Sequence, residues 1–386
     1  MYHYQKVFAA ACAGMLLFGL TLLSLGAILP KLIAKFELDG MGAGSLASLL
    51  PAGILLGSMI FGPMADRYGY KYLLIINSII IAVGLVALAQ AARLFGLQVG
   101  VFLVGLGGGV INGSANGLVA DISKDQEKAG SANLSLLGVF FGLGALGVPA
   151  MMGLLSRYWH YESILLGIVV VMVLPLIYFA WIQFPKARQE EKISWQKIAG
   201  LFKNTNLMIL AFVLFFQSSF EGIINNWTTT YMEMNRQLAP EKALAVLSGY
   251  IISMIVTRIF LAGLLQKIKP KWVLFLSIGT LVLGVISLFL VSGWPYLLIS
   301  TILFGTGTAA MFPIILQYVS DMFDELRGTA FSVVFFIAIG GNMLYNFFVG
   351  VMTQQYGIHL IPWIIFSCIA SMILLAIWMH RRGLAK

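Results

Sequence analysis

Glu221 stands where an acid is least at home. Of the fifteen Asp and Glu residues in the chain, it alone falls well inside a long apolar run, Phe212 to Met232. An ionisable group at that depth is expensive, which makes it a functional candidate by default. Gln217 lies four residues before it, Asn225 four after and Thr228 seven after, so on a helix they share one hydrophilic stripe. Such a stripe can hydrogen-bond the hydroxyls of a polyol. Its carboxyl can also carry a proton, because burial penalises the charged form. Trp227 and Tyr231 lie off the stripe on a straight helix and join it only where the helix loosens near Asn225 and Asn226. Otherwise they read as anchors at the membrane interface. The bland alternative for Glu221 is a polar contact between helices.

Two further pairs of amides invite the same chemistry. Asn112 and Asn116 are four residues apart in one apolar run, and Asn342 and Asn346 are four apart in another, so each pair shares a helix face. Neutral amides offer donors and an acceptor without a charge penalty, which suits a neutral polyol. They also serve as contacts between membrane helices, so both roles stay open. A different cluster, Gly62-Pro-Met-Ala-Asp66-Arg67-Tyr-Gly69-Tyr-Lys71, wedges an acid and two bases between long apolar runs. Such a cluster cannot lie in hydrocarbon and predicts a turn at a membrane face.

The elements that must position these residues follow from composition. The chain has 386 residues, 60% hydrophobic and 10% charged, with a mean hydropathy of +0.94. A soluble domain carries about a quarter charged residues, so this composition predicts an integral membrane protein. Twelve apolar runs are long enough to span as helices, near 8–30, 44–65, 72–91, 95–120, 131–154, 162–183, 206–232, 243–265, 272–291, 296–319, 328–352 and 358–379. The basic connection 184–205 divides them six and six, predicting bundles over 1–183 and 206–386. With both termini in the cytoplasm, seventeen basic residues fall inside and six outside, with Arg258 within a span. That bias favours cytoplasmic termini, and the net charge of +9 reports basic loops, not nucleic-acid binding.

The halves repeat. Gly105 and Gly107 precede Asp121 as Gly305 and Gly307 precede Asp321, at an offset of 200, which is the mark of a transporter built from parallel repeats. The glycine-rich Gly142 to Gly147 has the spacing of a dinucleotide fingerprint, yet no strand precedes it and no ribose-binding acid follows, so it reads as helix packing. Cys12 and Cys368 both sit in apolar runs and suggest no disulfide and no metal site. No nucleotide loop, zinc-protease motif or serine elbow is present.

The loop with Gly62, Asp66, Arg67, Gly69 and Lys71 resembles the signature between the second and third helices of the major facilitator superfamily. Glu221, Trp227 and Tyr231 resemble the seventh-helix pattern of its fucose-permease and bacterial glucose-transporter branch, with Ser219 where a glycine is common. Asn116 matches that branch's fourth-helix Asn, the stretch Asn133 to Pro149 is similar to its fifth helix, and Phe312-Pro313-Ile314 to its tenth. Two departures stand out: Asn112 occupies the place of a proton-coupling carboxylate, and the first helix offers only Thr21 and Ser24 where those permeases carry an acid. Proton coupling then falls to Glu221; otherwise Glu221 only accepts hydrogen bonds and transport is facilitative.

The resemblance implies an all-α fold of twelve transmembrane helices in two six-helix pseudo-symmetric bundles around a midplane cavity. Substrate contacts are expected from Gln217, Glu221, Asn225, Trp227, Tyr231, Asn112, Asn116, Asn342 and Asn346. Gating is expected from the loop residues with Asp121, Arg258 and Asp321. At 1.5 Å per residue Arg258 should lie about 12 Å nearer the cytoplasm than Glu221, too far for a direct pair. The expected protein is not an enzyme and needs no cofactor, metal or nucleic acid. It is expected to work as a monomer in the inner membrane, moving a small neutral polar solute such as a sugar, either coupled to protons through Glu221 or by facilitation. The alternatives are a proton-driven exporter of amphipathic compounds and a sugar sensor that moves nothing.

Overall fold

The computed structural model describes residues 3–122, 127–185, 200–290, 293–323 and 327–384. Among them the regular elements are helices, with no strand. Among the described residues twelve helices are long and apolar enough to cross a membrane. The first six spans are Tyr4–Phe36, Gly40–Phe61, Arg67–Gln90, Leu94–Val119, Leu136–Leu155 and Tyr161–Trp181. The seventh to twelfth are Thr205–Met234, Pro240–Leu261, Pro270–Leu290, Trp294–Leu316, Val333–Tyr356 and Ile358–Arg381. The chain is an all-α integral membrane protein.

Several ends have local causes. Glu37 adopts a left-handed conformation with φ 48° at the end of the first span, and Asp39 Oδ1 then accepts from the Gly42 amide to cap the second. Asn204 caps the seventh, its side chain accepting from the amides of Asn206 and Leu207. The first span has 33 residues, about 50 Å of helix against a hydrocarbon core of about 30 Å, so its charged end at Lys31 and Lys35 has room to leave the membrane.

One detail refines the sequence expectation and another departs from it. The charged stretch 62–71 is predicted as a turn, and the structure narrows that turn to one residue, Gly69, where two helices between Gly40 and Gln90 meet across a kink. There φ is 75° and ψ 165°, a conformation that glycine adopts without a side-chain clash. The tenth span, expected as continuous, breaks after Thr308 and resumes at Met311. Pro313 explains the break, since its ring crowds the carbonyl four residues earlier, at Ala309.

The chain divides into two compact units, one of Met1–Leu38 and Leu49–Glu191, the other of Asp39–Ser48 and Lys192–Lys386. Each is built the same way inside. In the first unit the first and fifth spans are extensively paired, and in the second the seventh and eleventh. The glycines make the repetition exact in numbering. A methyl on Gly105 would run into the Leu50 carbonyl oxygen, and one on Gly305 into that of Tyr250. A methyl on Gly107 meets the Asn77 carbonyl and Ile81, and one on Gly307 meets the Ser277 carbonyl and Leu281. Every partner is displaced by 200 residues, as the glycines are.

Small residues at these crossings let backbones approach, which is how membrane helices pack. Gly105→Ala and Gly305→Ala should therefore each cost about 1–3 kcal/mol, because the obstacle is backbone and cannot rotate away. Gly279→Ala, where nothing lies within 4 Å, should leave stability unchanged or raised. Thermal unfolding of the three variants in detergent checks this; equal midpoints would refute the crossing argument.

Candidate functional site

The seventh span is an unbroken helix from Thr205 to Met234, so the loosening near Asn225 and Asn226 does not occur. Its stripe assembles as the spacing predicts. Gln217 Nε2 donates to Glu221 Oε1 at 3.1 Å and reaches the Thr308 carbonyl of the tenth span at 3.5 Å. Gln217 is 1% exposed and Asn225 8%, whereas Glu221 between them keeps part of its side chain accessible. Gln217 Oε1 and Asn225 Oδ1 are enclosed and accept no hydrogen bond. Tyr250 of the eighth span, buried, brings its hydroxyl to 3.4 Å from Thr308 Oγ1. Arg258, two turns further along that span, is near enough for its charge to be felt at Glu221 without forming an ion pair in contact with it.

A second network, on the other side of the same helix, takes up Trp227. Asn342 Nδ2 of the eleventh span donates to the Ser218 carbonyl at 3.0 Å. Asn346 Nδ2 donates to the Asn342 carbonyl and to its Oδ1, at 2.9 and 2.8 Å. Asn346 Oδ1 in turn accepts from Asn226 Nδ2 and Trp227 Nε1, both at 3.1 Å. Asn346 and Trp227 are buried, so their polar atoms are engaged between the seventh and eleventh spans. Tyr231 is buried as well; its hydroxyl accepts from Arg236 Nε at 3.1 Å, and Arg236 lies over its ring while donating to the Leu288 carbonyl.

In the first unit Asn116 Nδ2 donates to both the carbonyl and Oδ1 of Asn112, and lies 3.9 Å from Met15 Sδ. Both amides are half-buried. Thr21 and Ser24 are buried and return their hydroxyls to their own helix, at the Phe18 and Thr21 carbonyls.

The residues expected to gate are placed as follows. Lys71 Nζ donates to the carbonyls of Ala180 and Ile182, capping the end of the sixth span. Arg67 is exposed and lies over the Tyr68 ring. Asp121 accepts from the Tyr70 hydroxyl at 2.7 Å. Gly62 and the side chains of Asp66 and Asp321 lie outside the described residues.

Sequence reasoning missed Tyr250, Thr308, Ser218 and Asn226. A signal for the first two existed in the repeat. At the offset of 200, Gln217 answers to Leu17, Glu221 to Thr21, Tyr250 to Leu50, Arg258 to Ser58 and Thr308 to Gly108. Each member of the Glu221 cluster thus stands where the other half has a smaller or less polar residue.

The profile of the Major Facilitator Superfamily matches residues 9–244 and again 237–384. An uncharacterised transporter of this type, YfkL of Bacillus subtilis, is 23% identical over 351 residues, covering 88% of this chain and 87% of its own. The quinolone resistance protein NorA of Staphylococcus aureus is 24% identical over 330 residues, 81% of each chain. The crystal structure of a D-xylose-proton symporter superposes with a TM-score of 0.80 at 15% identity, covering 97% of this chain and 96% of that one. At that identity the likeness is one of fold.

Proposed function

The chain belongs to the major facilitator superfamily, and from that premise we propose that it moves a small neutral polar solute, a sugar in the first instance, by alternating access coupled to protons through Glu221. The observation that carries the reading is the half-buried Glu221 side chain, held by Gln217 Nε2, in an otherwise enclosed polar stripe. A charge at membrane depth needs a purpose, and the neighbours Gln217 and Asn225 supply the neutral hydrogen-bonding groups that suit hydroxyls. Asn112 and Asn116, half-buried, are the candidate solute contacts of the first unit. The superposition on a D-xylose-proton symporter favours this reading as an analogy of fold.

Within it, Asn342, Asn346 and Trp227 act by holding two spans together, and Tyr231 by anchoring Arg236. Tyr70 with Asp121, Lys71 and Arg258 belong to the gating apparatus, with Gly62, Asp66, Arg67, Gly69 and Asp321 as its remaining proposed members. The protein works as a monomer in the inner membrane with both termini in the cytoplasm, in keeping with the distribution of its basic residues.

A second reading, export of amphipathic compounds against a proton gradient, is favoured by the similarity to NorA over 81% of the chain. Uptake of a panel of labelled sugars into proteoliposomes, with and without an inward proton gradient, separates the two. Saturable sugar uptake raised by the gradient supports the first. No sugar flux, together with gradient-driven movement of a lipophilic cation, would replace it with the second.

A further inference from the structure

We infer that the seventh-span stripe selects its ligand by hydrogen-bond donors: a hydroxyl or a protonated amine is taken there, and a carboxylate is refused. The inference rests on the reading of Glu221 as part of the substrate site and deepens it. Three residues at successive helical turns present oxygen. Gln217 has its nitrogen turned to Glu221 Oε1 and the Thr308 carbonyl, which leaves Oε1 as its free end. With Glu221 ionised, the opposite orientation of that amide would set its oxygen against the carboxylate, two acceptors face to face, so in that state the nitrogen belongs where it is. Glu221, when ionised, is an acceptor at both oxygens. Asn225 Oδ1, one turn on, is buried and accepts nothing.

Enclosed oxygens without donors are costly, and a ligand that supplies donors removes that cost. Sugar hydroxyls do so singly, and an ammonium carries three donors and no acceptor. A carboxylate brings none, and its charge would stand beside that of Glu221. With Glu221 ionised, at an effective dielectric constant near 20 and a separation of about 6 Å, that repulsion alone, before the opposing charge of Arg258 is counted, amounts to roughly a hundredfold in affinity.

Arg258 is the opposing element. Its charge reaches Glu221, but it lies two turns beyond Tyr250 on the eighth span, and its field is answered by Glu221 itself. The groups facing the stripe from the tenth and eighth spans, Thr308 and Tyr250, are occupied with each other and with Gln217.

The test uses the purified full chain in detergent, titrated with matched sets of ligands while the melting temperature is followed. Each set is a hexose, its 2-amino sugar kept protonated at mildly acidic pH, and its uronic acid. Benzylamine and benzoate form a non-sugar pair. The expected result is that at least one hexose binds, its amino sugar binds as well or better, and its uronate binds about a hundredfold more weakly. In Glu221→Gln the gap between amine and carboxylate should shrink to less than about tenfold, and Gln217→Leu should weaken hexose and amino sugar alike. A uronate that binds as well as its parent hexose overturns the inference while leaving sugar transport standing. Binding of benzylamine but not benzoate, with no sugar bound, overturns the sugar reading and keeps the donor rule. A shift from carboxylates alone, or from no donor-bearing compound at all, overturns the donor rule.

Discussion

Glu221→Gln should abolish uphill accumulation of substrate in proteoliposomes while leaving exchange of labelled for unlabelled substrate across the same membrane within about threefold of wild type. The amide keeps the size of the protonated carboxyl and its place beside Gln217 Nε2, so substrate can still bind and the loaded protein can still turn over. What it cannot do is release a proton on one side and collect it on the other. One pH unit of gradient is worth about 1.4 kcal/mol per coupled proton, or about tenfold accumulation, and the variant should equilibrate at equal concentrations. Undiminished accumulation by the variant would make Glu221 a substrate ligand only. Loss of exchange along with accumulation would show that the carboxyl is needed for binding.

Asn346→Leu should destabilise the protein by about 3 kcal/mol, the largest effect expected from a single polar substitution outside the Glu221 cluster. Hydrogen bonds between membrane helices are individually modest, about 0.6 kcal/mol on average. The larger loss comes from the donors left behind, because Asn226 Nδ2 and Trp227 Nε1 both converge on Asn346 Oδ1 in a buried place. An orphaned donor of that kind costs about 1–3 kcal/mol. Trp227→Phe removes one donor and leaves Asn226 paired, so alone it should cost about 1 kcal/mol. Added to Asn346→Leu it should cost little more, since the indole donor is already unmatched. The cycle is read by thermal unfolding in detergent, and its non-additivity is the signature of the shared acceptor. Additive losses, or a change in substrate affinity without a change in stability, would place Trp227 and Asn346 at the substrate instead.

The twelve spans were legible because each is about twenty apolar residues bounded by charge, a signal set by the thickness of a bilayer. The stripe on the seventh was legible because Gln217, Glu221 and Asn225 are local in sequence. Three other features were not. The bend at Gly69 hides in a charged stretch that reads as a loop, because charge marks a membrane face and says nothing of where backbone geometry changes. The fate of Trp227 depends on Asn346, more than a hundred residues away, and helical spacing says nothing of a partner on another helix. Tyr250 and Thr308 look like ordinary residues of apolar runs until their repeat mates, Leu50 and Gly108, are set beside them.

That the membrane-depth acids of this chain reduce to one, Glu221, has an electrical consequence. Under the proposed coupling, a single titrating carboxyl carries at most one elementary charge per turnover, so movement of an uncharged solute would be a current of one charge per molecule. The membrane voltage then enters directly as a driving force, at about 2.3 kcal/mol per 100 mV. Collapsing the voltage at constant pH gradient would slow transport of a neutral solute. Outward exchange of a monovalent cation for the same proton would be electrically silent and indifferent to it.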